Sequence, residues 1–184
     1  MLAGLALVLA APFASATVLN FDDIPGPDGY AAVPANYGGL DWSASTWTAF
    51  DAPQEPYAAH SGAGRITTAF GSDDAASTIR FLAPTVFDGA WFAGFEDVAV
   101  TFQMYAGGQL VATSSMLGLS GTPTFLSSGW GGVVDTLIVS SEFQAGYVMD
   151  DFSFRAVNAV PEPGSMLLVL AGLSLVIATR RRGA

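Results

Sequence analysis

The 184-residue chain contains no cysteine and no lysine, and it has one histidine, His60. Without cysteine there can be no disulfide, no thiolate metal ligand and no cysteine nucleophile. A single histidine rules out a two-histidine metal site and any mechanism that needs separate base and ligand imidazoles. Cations are nearly as scarce. Three of the six arginines are the consecutive Arg180, Arg181 and Arg182, which leaves Arg65, Arg80 and Arg155 against fifteen acids between residues 17 and 159, a net charge of −12 there. A surface with so little positive charge cannot neutralise phosphates, so nucleic acid is excluded as a partner. The acidity itself serves solubility by self-repulsion. Apolar residues reach 51%, charged residues only 12%, and there are 21 glycines and 10 prolines. That composition is globular and turn-rich rather than disordered.

What is present begins with two apolar ends. Residues 1–16 run apolar from Leu2 to Ala11 and close on Ala14-Ser15-Ala16. This small-x-small pattern is what signal peptidase reads, so Ala14 and Ala16 mark the expected cleavage site of a secretory signal helix. No Lys or Arg precedes the apolar run, which departs from the usual pattern of such signals. Pro12 and the polar, strand-like residues from Thr17 onward argue against a buried N-terminal helix.

Residues 160–184 have a three-part order. Pro161-Glu162-Pro163 comes first, then a nearly uniform apolar run from Met166 to Thr179, then Arg180-Arg181-Arg182. As a helix the run rises about 21 Å, short of a hydrocarbon core of roughly 30 Å. Gly164 and Ser165 lengthen it to residues 164–179, and arginine stems can snorkel to the interface, so a tilted or thinned transmembrane insertion is expected. Arginines that follow the run predict a cytoplasmic C-terminus with the preceding domain outside.

These three parts in this order resemble the PEP-CTERM sorting signal of Gram-negative bacteria. By that resemblance the chain is exported through the general secretory machinery and processed by exosortase, a membrane-embedded cysteine protease. Pro161, Glu162 and Pro163 are then the recognition motif, and Arg180 to Arg182 the cytoplasmic stop. The expected localisation is the cell envelope or the exterior, with a transient inner-membrane anchor, in a setting of exopolysaccharide and biofilm matrix.

Residues 17–159 read as strands. Val98, Val100, Phe102 and Met104 alternate with Ala99, Thr101, Gln103 and Tyr105, the period of a half-buried strand. Gly107-Gly108 marks a tight turn before a returning strand from Leu110 to Leu117. Further strands are expected at 18–21, 39–43, 65–70, 77–82, 90–95, 123–128, 133–140 and 147–155. The expectation is an all-β, jelly-roll-like β-sandwich flanked by the signal helix and the transmembrane helix. Leu19-Asn20-Phe21-Asp22-Asp23, Tyr37 to Trp42 and Tyr147 to Phe154 also resemble secreted galactose-binding-like and lectin-like jelly rolls.

In the last strand Val148, Asp150, Phe152 and Phe154 share a parity, which would put Asp150 on the face that buries two phenylalanines. A buried carboxylate needs a cation, several backbone donors or a bulge that turns it outward. First and last strands lie side by side in many jelly rolls. Asp22 and Asp23 would then meet Asp150 and Asp151, a set able to hold a structural Ca²⁺; the alternative is a strand-end pair held by a turn and water. Among the tryptophans, Trp91 beside Phe92 and Phe95 reads as core, whereas Trp130, framed by Gly129, Gly131 and Gly132 at a hairpin tip, is the candidate for an exposed ligand platform. His60 lies in a loop by composition. Gly118-Leu119-Ser120-Gly121 is not a nucleophile elbow, and no catalytic residue is assigned.

Three readings remain open at this point. The expected one is a structural or adhesive envelope or matrix protein, associated with exopolysaccharide or biofilm and without enzymatic activity. The second is a carbohydrate-binding module of the cell surface, with Trp130, Trp47 or Tyr57 exposed beside acids and amides. The third is a small polysaccharide-active enzyme, with two carboxylates roughly 5 to 10 Å apart, drawn from Glu55, Glu96 and Glu142.

Overall fold

Period-two alternation becomes twelve β-strands in a computed structural model of the protein, in which the described residues are 16–68, 76–143 and 146–157. The strands are β1 (Ala16–Leu19), β2 (Tyr30–Ala32), β3 (Leu40–Asp41), β4 (Trp47–Phe50), β5 (Arg65–Thr68) and β6 (Ala76–Gly94). They continue with β7 (Ala99–Ala106), β8 (Gln109–Thr113), β9 (Leu117–Gly118), β10 (Thr124–Ser127), β11 (Val134–Ser141) and β12 (Tyr147–Ala156). A 3₁₀ turn lies at Tyr37–Gly39. The described strands fall within one compact unit, Ala14–Val157.

The hydrogen-bond order β2-β4-β5-β12-β6-β11-β7-β8 is continuous, and the long β6 is what folds it into two layers. Its first half pairs with β11 and β3, its second half with β12 and β10. The sequence suggests two strands here, 77–82 and 90–95. They are one strand, which tolerates Pro84 because the residue lacking an N–H sits where the partners change over, and the Pro84 carbonyl accepts from the Val157 N–H at 2.9 Å. Rings from the two layers meet in the core: Phe102 of β7 lies 4.9 Å from Phe87 and 5.5 Å from Phe92. Phe81 likewise lies 6.2 Å from Phe152 and 5.9 Å from Phe154. The architecture is an all-β sandwich.

Several expectations hold in detail. Val98, Val100, Phe102 and Met104 are all buried. Gly107 and Gly108 take φ values of 57° and 76°, as a two-residue hairpin loop between β7 and β8 requires. First and last strands do lie together, β1 antiparallel to β12 with Leu19 opposite Phe152. Residues 123–128 and 133–140 do not form a hairpin, however. β10 pairs with the second half of β6 and β11 with the first, so the stretch that carries Trp130 crosses between layers.

The signal helix with Ala14, the sorting tail with Pro161, Glu162, Pro163 and Arg180 to Arg182, and the 164–179 transmembrane helix lie outside the described residues. Among the described residues no helix is long and apolar enough to cross a membrane.

Candidate functional site

The site begins with a defect in β12. Tyr147 and Met149 point into the main core and Val148 away from it, as alternation demands. Asp151 then adopts φ 44°, and the register against β6 slips between Asp150 and Ser153. This bulge inverts the parity, so Phe152 and Phe154 return to the main core. Asp150 therefore does not share a face with Phe152 and Phe154. It lies with Val148 on the outer side of the β5-β12-β6-β10 layer.

Asp150 is nonetheless only 2% exposed, because the loop after β4 folds over that side. Phe50, Tyr57, Ala93 and Val148 form a small second core beneath the loop. Arg65, 3% exposed, pegs it from below. Its guanidinium donates to the carbonyls of Tyr57 (2.8 Å), Ala63 (2.8 Å) and Ala52 (2.6 Å) and sits 4.1 Å over the Phe50 ring. Desolvation draws its pKa down, and the charges of Asp51 and Asp150 oppose that.

Three carboxylates fasten the loop from the other end. Asp150 Oδ2 accepts from the backbone N–H groups of His60 (2.8 Å) and Ser61 (2.9 Å), while its Oδ1 accepts from the Asp151 N–H (2.7 Å). Burial pushes the Asp150 carboxyl up to about 6, against the lowering pull of those donors. Asp151 Oδ2 meets His60 Nδ1 at 2.6 Å, and its Oδ1 accepts from Ser61 Oγ at 2.8 Å. Asp22 accepts from the N–H groups of Ala63 and Gly64 at 2.8 and 2.6 Å.

The four acids expected to share a Ca²⁺ are thus spent separately. Asp23 accepts from the Tyr37 hydroxyl at 2.6 Å, and Asp22, Asp150 and Asp151 hold the loop. Among the described residues no three His, Asp or Glu side chains are grouped to hold a metal ion. Asp150 finds backbone donors, and a bulge beside it.

Fastening the loop brings His60 onto Trp91. Their rings stack at 3.5 Å with an interplanar angle of 11°. Trp91 also meets Phe125 of β10, directly opposite in the ladder, at 5.6 Å. Phe125 is 40% exposed and leans over Gly89, where a Cβ would come within 2.6 Å of its Cζ. Beyond Gly89, Arg155 Nη2 donates to Asp88 Oδ1 at 2.8 Å and its Nε reaches both Asp88 oxygens at 3.1 Å. The outer face of this layer therefore carries an aromatic row, His60, Trp91 and Phe125, with Asp151 and Ser61 behind it and the Arg155–Asp88 pair at its far end. Hydroxyls, carboxylates and partly exposed π-faces side by side can bind a ligand with an apolar face and a polar rim.

The sequence reading misplaces these aromatics. Trp91 is partly exposed rather than core, because its parity in β6 sends Phe92 inward. Trp47 and Tyr57, named as exposed candidates, are buried, and Trp130 is 36% exposed. His60 is a wall of the aromatic row and not an isolated loop residue. The signal for Trp91 was its alternation with Phe92; the contact with His60 had none. Glu55, Glu96 and Glu142 are all exposed, and an open pocket of about 240 Å³ beside the loop is lined by Asp51, Gln54 and Glu55.

Among solved structures, the CBM22-1-CBM22-2 tandem of Paenibacillus barcinonensis Xyn10C aligns with a TM-score of 0.47 and 14% identity, over 85% of this chain. This chain spans 49% of that tandem. The CBM22-1 xylan-binding domain of the same protein aligns over 82% of this chain and 99% of its own, with TM-score 0.46 and 14% identity. TmCBM61, solved with β-1,4-galactotriose, aligns over 75% and 99% with TM-score 0.37 and 16% identity. These likenesses are remote, and no ligand passes from those proteins to this chain on their strength. No curated protein sequence matches. Residues 159–182 do match a known family, and by that match the chain carries the PEP-CTERM protein-sorting motif.

Proposed function

We propose that this is an exported, exosortase-processed protein of the cell surface or matrix whose sandwich holds polysaccharide on the outer face of one layer. The observation that carries the binding reading is the row of His60, Trp91 and Phe125 beside Asp151 and Ser61. Sugar rings present an apolar C–H face and a belt of hydroxyls. Aromatic surface flanked by carboxylates and hydroxyls complements both. The sorting motif supports delivery out of the cell, and polysaccharide binding there is an adhesive role rather than a catalytic one. Export by a signal ending at Ala16, and a passing membrane anchor through residues 164–179, belong to the same reading.

A glycan array probed with the full chain in nonionic detergent tests it. The chain is expected to retain polysaccharide, and Phe125→Ala to lose most of that binding with an unchanged circular dichroism spectrum. Uniform failure of the unmodified chain to bind would sink the reading. Release of reducing ends from a bound polymer would favour the enzymatic alternative.

A further inference from the structure

The charge of the site selects among polysaccharides, and this inference rests on the binding reading above. Every arginine between residues 17 and 159 is already engaged. Arg65 is buried against backbone carbonyls, Arg80 lies 3.6 Å from Asp41, and Arg155 is paired with Asp88. Lysine is absent from the chain. No described arginine is therefore left without an intramolecular partner to receive the carboxylate of a uronic acid or a sulfate ester. Around the aromatic row the titratable groups are Asp150 beneath it, Asp151 with His60 at one end and Asp88 with Arg155 at the other. The same loop carries Asp51 and Glu55 along the neighbouring pocket.

From this charge complementarity we infer that the ligand of the His60, Trp91 and Phe125 face is a cationic polysaccharide, an amino-sugar polymer with free amines. A glucosamine unit combines an apolar C–H face for the aromatic row with an ammonium. That ammonium is attracted to the ring quadrupoles of Trp91 and Phe125 and to the net negative field of the domain, in which Asp51 and Glu55 line the neighbouring pocket. A domain charge of −12 draws a polycation in and repels a polyanion over the whole approach, an effect that salt screens within about 10 Å at moderate ionic strength.

The test compares three polymers of matched length on the full chain in nonionic detergent: de-N-acetylated glucosamine, its fully N-acetylated neutral form, and a polyuronate. At low salt the deacetylated polymer is expected to bind at least tenfold more tightly than the neutral one, with the gap closing at high salt and no retention of polyuronate. Asp88→Asn releases Arg155, and is expected to weaken the cationic polymer and admit the polyuronate. Phe125→Ala is expected to lose both glucosamine polymers. Equal affinity for the charged and neutral polymers, or a preference for polyuronate, overturns this inference and leaves the binding reading standing. Cationic binding that Phe125→Ala leaves untouched assigns the effect to diffuse surface charge and also overturns it. Failure of all three polymers also overturns this inference, while the binding reading itself falls only with uniform failure on the glycan array.

Discussion

Asp150 and Phe152 stand two positions apart in one strand and face opposite sides of it. The left-handed turn at Asp151, φ 44°, is the cause. The inversion keeps Phe152 in the main core and leaves Asp150 under the loop, where three backbone N–H groups converge on it.

Burial raises the Asp150 carboxyl from 3.8 to about 6, so the folded protein holds this proton more tightly than the unfolded chain does. The stability this group contributes is complete below about pH 4 and disappears as pH rises through about 6. Compared with Asp150→Asn, which cannot titrate, the unmodified protein should gain up to roughly 3 kcal/mol on going from about pH 7 to about pH 4. Urea unfolding of both proteins across that range measures it. Parallel curves would show that the carboxyl is not desolvated as described.

Arg65→Lys should destabilise the fold by about 2 to 4 kcal/mol, because one ammonium cannot reach the Tyr57, Ala63 and Ala52 carbonyls together. Thermal unfolding checks this. A loss below about 1 kcal/mol would mean that the loop is held mainly by its acids.

Trp42 and Trp47 are both buried and meet edge to face at 5.7 Å, but their indole nitrogens differ. Trp42 Nε1 donates to the Tyr37 carbonyl at 2.9 Å, whereas Trp47 Nε1 is buried without a partner. Trp42→Phe should therefore cost about 1 to 2 kcal/mol more than Trp47→Phe. The same or the reverse ranking in denaturant melts would refute that distinction.

Gly89 takes φ 149°, and a Cβ there would meet the Leu126 carbonyl oxygen and the Phe125 ring. Gly89→Ala is expected to destabilise by about 1 to 3 kcal/mol and to displace Phe125. Polysaccharide affinity should fall even at temperatures where the variant is fully folded. Unchanged affinity would detach Phe125 from the binding face.

Processing at the sorting motif should leave a mature protein without Arg180, Arg181 and Arg182. Intact mass spectrometry of protein recovered from a host with exosortase decides this, and a mass that retains the three arginines contradicts it.

Much of the sandwich was legible because its signals are local. The alternation of Val98 to Met104 and the Gly107-Gly108 turn each depend on neighbours within a few residues. The short strands β2 and β4 were not foreseen, since Tyr30–Ala32 and Trp47–Phe50 are too brief to show a period. The joining of two expected strands into β6 depends on partners far along the chain. At the site, the need of Asp150 for donors or a bulge followed from its place among apolar residues, but which residues supply them did not. His60 and Ser61 lie 90 and 89 positions away.

The linear order of residues determined the sorting address and the strand-rich class of the domain, because a motif read as a peptide and an alternating burial pattern both reside in contiguous sequence. The tertiary structure alone decided which aromatics face outward and what the acids do. Trp91 shows its ring because Phe92 takes the core, and the acids fasten a loop: Asp22 and Asp150 accept from its backbone N–H groups, and Asp151 meets the His60 ring and the Ser61 hydroxyl. Both outcomes depend on long-range pairing and on one residue, Asp151, in a conformation that alternation cannot announce.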